Sequence, residues 1–205
     1  MLDLSGAGKL ADCVIAFLAF INPVSKIVVL GAVSPEGGFR DLVRVSVKAS
    51  LVAVFILAAF ALAGNALLTQ LFHIQIHAFQ VCGGAILFFR GYQAVEKGLF
   101  FEMDHGQKLD DISVVPLASP LIAGPAAITA SVTFPFRYGL AVTMLAIVIS
   151  ILINLVLMIA SSRIGMALDR HHFMSALIRI TGLLVASIGV QMILDGITAY
   201  IHTLS

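Results

Sequence analysis

The sequence predicts an all-α membrane protein: six transmembrane helices arranged as two inverted three-helix repeats, with spans one and four broken at mid-membrane. Three observations carry this reading. First, 60% of the 205 residues are hydrophobic and only 11% are charged, against about 25% charged in ordinary soluble domains; the mean hydropathy is +1.07. Second, six stretches approach the ~20 mostly apolar residues that a spanning helix requires. Third, prolines interrupt the first and the fourth of these stretches at corresponding places.

In order, the spans are expected at Leu10 to Val33, Val43 to Gly64, Leu71 to Tyr92, Ile112 to Phe134, Tyr138 to Ser161 and Leu177 to Tyr200. The first run follows Asp3 and Lys9 without a small-residue cleavage site, so it reads as a retained span rather than a signal peptide. Between spans three and four lies the longest polar segment, Glu96 to Asp111. It divides one membrane domain into a first repeat, about residues 1–95, a cytoplasmic connector, about 96–111, and a second repeat, about 112–205.

Orientation follows from the cations, because cytoplasmic loops are enriched in Lys and Arg. Arg40, Arg44, Lys48, Arg90, Lys97, Lys108, Arg163, Arg170 and Arg179 fall at the first, third and fifth loops, and only Lys9 and Arg137 on the other side. This places the odd loops in the cytoplasm and both termini outside. Three spans per half then force the second half to enter the membrane in the opposite sense, so internal similarity takes the form of an inverted repeat. Such similarity is present between "FQVCGGAILFFRGYQ" and "IRITGLLVASIGVQ": Gly83 matches Gly182, and Gly91 to Gln93 match Gly189 to Gln191 after a one-residue shift.

Span one contains Asn22, Pro23, Ser25 and Lys26, and span four contains Pro116, Pro120, Gly124 and Pro125. Proline removes a backbone donor and clashes with the preceding turn, yet it is accepted at the first position of a helix behind an Asn or Gly cap. Asn22-Pro23 and Gly124-Pro125 fit that pattern, which makes each span two half-helices. Their mid-depth N-termini carry free N–H groups and roughly half a positive charge, suited to a carboxylate; the first halves end in free carbonyls, suited to an ammonium or cation. Interrupted spans at matched positions in two halves point to a transporter's binding site. A single proline would be a tolerated kink. The pair selects Asn22, Pro23, Ser25, Ala123, Gly124, Pro125 and Thr129 as candidate substrate-binding residues. Ala123, Gly124, Ala126 and Ala127 leave space for a small ligand, or equally allow close helix packing.

At these residues the sequence resembles the MarC family of bacterial inner-membrane proteins, which includes SnatA-type small neutral amino-acid transporters. The family's fourth-span pattern P-L-x-x-P-L-I-A-G-P-G-A-I-T is matched from Pro116 to Thr129, with Ala126 in place of Gly. The first-span pattern N-P-x-G-N-x-P is matched at Asn22 and Pro23, with Ser25, Lys26 and Val28 replacing Gly, Asn and Pro. Gly83-Gly84, Asn154 and "VQMILDGI" (Val190 to Ile197) extend the likeness over nearly the whole chain. The resemblance implies six spans, the inverted repeat, and transport of glycine, alanine or similar neutral amino acids, coupled to protons. Its expected partners are the lipid bilayer, a small-molecule substrate and protons or another coupling ion.

The remaining polar residues fall into two groups. Lys26, Asp195, Gln191 and Asn154 are the coupling or polar candidates. Lys26 lies ~6 Å beyond the break at 1.5 Å rise per residue; an intramembrane charge is a functional hypothesis, against the alternative that it snorkels to the interface. Asp195 follows Gln191 by one turn and is the preferred proton-coupling group, ahead of Asp12. Asn154, Gln80 and Gln191 also fit interhelical hydrogen bonding, typically worth about 0.6 kcal/mol in membranes. Other function classes find little support. There is no G-x-x-x-x-G-K-[ST], no H-E-x-x-H and no basic nucleic-acid patch, so neither enzyme, cofactor, metal nor nucleic acid is expected. Cys13 and Cys82 read as packing residues, and His73, His77, His171 and His172 as surface or interface residues.

Overall fold

The computed structural model describes residues 6–32, 39–98, 122–169 and 173–204. Its helices are α1 (Gly6–Ile21), α2 (Pro23–Ala32), α3 (Phe39–Ala66), α4 (Ile76–Lys97), α5 (Pro125–Tyr138), α6 (Leu140–Asp169) and α7 (Phe173–Leu204). Among the described residues there is no strand. Among the described residues, three stretches are long and apolar enough to cross a membrane: Phe39–Leu71, Leu140–Ser161 and Ser175–Thr203. They correspond to expected spans two, five and six.

The other three expected spans take different forms. Span one is divided between α1 and α2, of 16 and 10 residues, each shorter than a bilayer crossing. Span three corresponds to α4, whose apolar run is interrupted by His77, Gln80, Arg90 and Gln93. Only the second part of span four is described, as α5; Pro116, Pro120 and the connector beyond Gly98 lie outside the described residues.

The buried positions of α3, from Leu42 through Val45, Ala49 and Ala53 to Leu57, recur every three to four residues and form one stripe. Its opposite face exposes Val47, Leu51, Phe55 and Leu62. A large apolar face directed outward would be an aggregation hazard in water but is ordinary where lipid is the solvent. The end of α3 widens into a π-turn at Leu67–Leu71, closed by a hydrogen bond from Phe72 N–H to the Leu67 carbonyl (3.0 Å). His73 then turns the chain with φ +55°, so α4 starts at Ile76, five residues later than the sequence pattern places span three.

Two apolar cores result. The larger joins Cys13, Phe17 and Ile21 of α1, the α3 stripe, and Ala146, Ile147, Ile151 and Met158 of α6. The smaller joins Leu87 and Ala94 of α4 with Ile178, Val185 and Met192 of α7. α5 lies between them, giving Ala127 and Ala130 to the first and Ala126 to the second. Cys13 thus packs as expected, while Cys82 is an exposed free thiol.

α4 and α7 pack antiparallel at unusually short range. A Cβ on Gly91 would lie 2.6 Å from the Gly182 carbonyl oxygen, and one on Gly84 2.6 Å from that of Gly189. A Cβ on Gly196 would meet the His77 carbonyl at 2.9 Å. Glycine at heptad spacing lets the two backbones touch. Where α4 ends, Gly98 adopts φ +68° and its N–H bonds the Ala94 carbonyl at 3.0 Å, while Arg179 of α7 donates to the Val95 carbonyl at 2.5 Å. A cation at a helix C-terminus offsets its partial negative charge.

Candidate functional site

α1 stops at Ile21 because Asn22 takes φ +52°, the left-handed region that Asn tolerates better than most residues. The Asn22 N–H still closes the last turn of α1 onto the Leu18 carbonyl (2.8 Å), and Pro23, fixed near φ −65°, starts α2 without needing a donor. Asn22 does not act as the side-chain cap expected from the sequence. It serves as the left-handed residue that ends α1, and its backbone carbonyl becomes the hub of the break. Ser25 donates to that oxygen through both its N–H (3.2 Å) and its hydroxyl (2.8 Å). The Lys26 ammonium reaches it at 3.4 Å and also donates to the Ile21 carbonyl.

Lys26 is 2% exposed, so its side chain folds back into the break instead of snorkelling. No carboxylate of the described residues pairs with it. A buried ammonium therefore has backbone carbonyls as its partners here.

The start of α5 has a different geometry. Gly124 is extended (φ −76°, ψ 169°), with Pro125 behind it at the first position of α5. Its carbonyl accepts the Ile128 N–H at 2.9 Å. Ala126, Ala127, Thr129 and Ala130 are buried. Ala123, ahead of α5, shares the larger core with Ile21 and Ala127, so these small residues pack closely. The Thr129 hydroxyl is spent on the Pro125 carbonyl (2.8 Å) and lies against Gly83, where a Cβ would come within 2.4 Å of it.

A cavity of about 580 Å³ opens between α1, α4, α5 and α7. Phe20 of α1 and Phe134 and Tyr138 of α5 form an aromatic wall, with Phe134 5.2 Å from the Tyr138 ring and 6.1 Å from that of Phe20. α5 adds Thr133 and Arg137, whose guanidinium lies 5.3 Å over the Tyr138 ring. α7 adds Gln191, Asp195, Thr198 and His202, and α4 adds Gln80. Gln191 Nε2 donates to Asp195 Oδ1 at 2.7 Å. Arg137 and Asp195 line the same cavity and form no ion pair with each other. Phe20 is two residues from the Asn22 break, so one end of the cavity approaches the interruption.

The structure therefore brings Gln191 and Asp195 together on the cavity wall, but not Asn22, Pro23, Ser25, Ala123, Gly124, Pro125 or Thr129. Asn154 lies apart, fully buried on α6, with Nδ2 3.1 Å from Met158 Sδ and Oδ1 without a partner. Ser46 and Ser50 of α3 and Ser161 of α6 have hydroxyls that are likewise unpartnered among the described residues. The sequence reading missed Arg137, Tyr138 and Thr133 as cavity residues. The available signal was a polar face on one helix: Gln191, Asp195, Thr198 and His202 recur at spacings of three to four residues, the helical period. Among the described residues no group of His, Cys, Asp and Glu could hold a metal ion.

Helices with apolar outer faces, an interrupted α1–α2 pair and a cavity between helices that mixes aromatic and polar lining define an integral, multi-pass helical membrane protein. The chain belongs to the MarC family of integral membrane proteins, which it matches over residues 8–201. It is 32% identical to the UPF0056 membrane protein PH0214 of Pyrococcus horikoshii, covering 92% of this chain and 93% of that one. A UPF0056 membrane protein of Aquifex aeolicus is 31% identical over 89% of each chain, and YvbG of Bacillus subtilis is 28% identical over 89% of this chain and 91% of its own. No solved structure matches this chain.

Proposed function

We propose that this chain is a proton-coupled secondary transporter of small neutral amino acids such as glycine or alanine, in a bacterial inner membrane with both termini external. The observation that carries the reading is the cavity of about 580 Å³ in which Arg137 and Asp195 face one space without pairing. That volume falls within the roughly 300–1,000 Å³ of small-molecule pockets. A zwitterion supplies the missing partner for both charges: its carboxylate accepts from the Arg137 guanidinium, and its ammonium donates to the Asp195 carboxylate that Gln191 orients.

The interrupted helices support alternating access around this space. Spans one and four are read as broken at mid-membrane, at Asn22-Pro23 and Gly124-Pro125. The α4–α7 register supports the inverted six-span repeat. Gly182 and Gly189 stand the same number of positions after Gly84 and Gly91, and the contacts Gly84–Gly189 and Gly91–Gly182 exchange under that relation. A pseudo-two-fold between the halves has that property. Transport, and not catalysis, is the activity proposed, with no cofactor.

The test is uptake of labelled glycine and alanine by proteoliposomes under an imposed pH gradient. Arg137→Gln and Asp195→Asn are each expected to lower uptake about tenfold or more, corresponding to the ~1.5–3 kcal/mol of a hydrogen bond to a charged group. If no amino acid in a panel moves or raises the melting temperature of the purified protein, the proposed substrate class is wrong.

A further inference from the structure

We propose that the Lys26 ammonium is a tethered substitute for a bound monovalent cation at the end of α1, so that this break is filled without an inorganic ion. The final turn of any helix leaves carbonyls without intrahelical partners, and they carry the negative end of the helix dipole. Here that end is buried: Ile21 is fully enclosed and Asn22 nearly so. Water cannot satisfy such oxygens freely within a membrane protein, so they require an internal donor or a bound cation.

Lys26 meets that requirement. Its ammonium donates to the Ile21 carbonyl and lies 3.4 Å from that of Asn22, whose oxygen also accepts the Ser25 hydroxyl at 2.8 Å. Two backbone carbonyl oxygens meet the ammonium, with no carboxylate of the described residues among its partners, and buried carbonyls of this kind also hold desolvated monovalent cations. The four-carbon stem delivers the charge from one turn away, so occupancy does not depend on salt concentration. Asp195 and Arg137 line the separate cavity and do not share this position.

The consequence for coupling rests on the transport reading above: flux requires no sodium or potassium ion at this break. The binding claim itself is tested without transport. The full chain, purified in detergent, is melted in sodium, potassium or choline chloride at matched ionic strength. The wild type is expected to melt at one temperature in all three, and Lys26→Arg likewise. Lys26→Ala is expected to melt lower in choline and to regain about 5 °C with saturating sodium, potassium or n-butylammonium. Lys26→Met, whose side chain fills the stem's space, is expected to respond to the small inorganic ions and not to butylammonium. Should Lys26→Ala fail to fold, Lys26→Met provides the same readout.

A wild type stabilised by sodium over choline overturns the proposal. So does a folded Lys26→Ala or Lys26→Met that no cation restores. In parallel, labelled glycine uptake by wild-type proteoliposomes is measured in sodium-free and potassium-free choline medium. Persistent uptake supports cation-independent flux, and uptake that demands sodium or potassium contradicts it. Absence of uptake in every medium counts against the transporter reading, while the melting series still decides what Lys26 does.

Discussion

Asn22 concentrates the residue-scale physics of the first break. Its φ of +52° costs an ordinary L-residue roughly 1–2 kcal/mol and a β-branched one more, while Gly adopts it freely. Asn22→Gly is therefore expected to leave stability within a few tenths of a kcal/mol of wild type, and Asn22→Val to lower it by about 2 kcal/mol, measured by reversible unfolding in mixed detergent. An equal loss in both variants would mean that the Asn22 amide, and not its backbone conformation, holds the break. The dipeptide Asn-Pro made an interruption legible, since each residue carries a local rule. It did not reveal which end Asn22 serves, because Asn both caps N-termini and ends C-termini in the left-handed region. Lys26 was legible as an anomaly only. The direction of its side chain depended on free carbonyls that exist once α1 has stopped at Ile21.

At the scale of elements, the glycines of α4 and α7 fix how these two helices stay together. A Cβ at Gly91 would stand 2.4 Å from Ala186 N, a backbone atom that cannot swing aside. Gly91→Leu is expected to force the helices apart and cost about 1–3 kcal/mol or more, read as a lower melting temperature of the purified protein. Gly6→Ala, where a Cβ meets nothing within 4 Å, is the control expected to leave it unchanged. The repeat between these helices was visible in the sequence, but Gly83 was matched to Gly182 and a one-residue shift was then required. The contacts pair Gly84 with Gly189 and Gly91 with Gly182, and taking Gly84 as the counterpart of Gly182 removes the shift. Gly83 has a different task, giving room to Thr129 of α5. Two adjacent glycines cannot be told apart by composition, because facing a different neighbour is a property of helix rotation.

For the whole molecule, the arrangement of cations predicts the sidedness of the bilayer. In a Cys13→Ala, Cys82→Ser background, a cysteine at Thr203 is expected to react with an impermeant maleimide added outside intact cells. A cysteine at Lys97 is expected to react only after permeabilisation. The reverse pattern would invert the topology.

The sequence by itself determined that this chain lives in lipid, that its helices are apolar on the outside, and that the first run is interrupted at Asn22. Each of these follows from composition or from a rule acting over a few neighbouring residues. The tertiary structure alone decided that Arg137 and Asp195 share one cavity while Thr129 turns to Gly83. Those outcomes are set by the rotation and depth of whole helices against one another. Rotation is fixed where glycine lets the backbones of α4 and α7 touch, and those contacts join residues far apart in the chain.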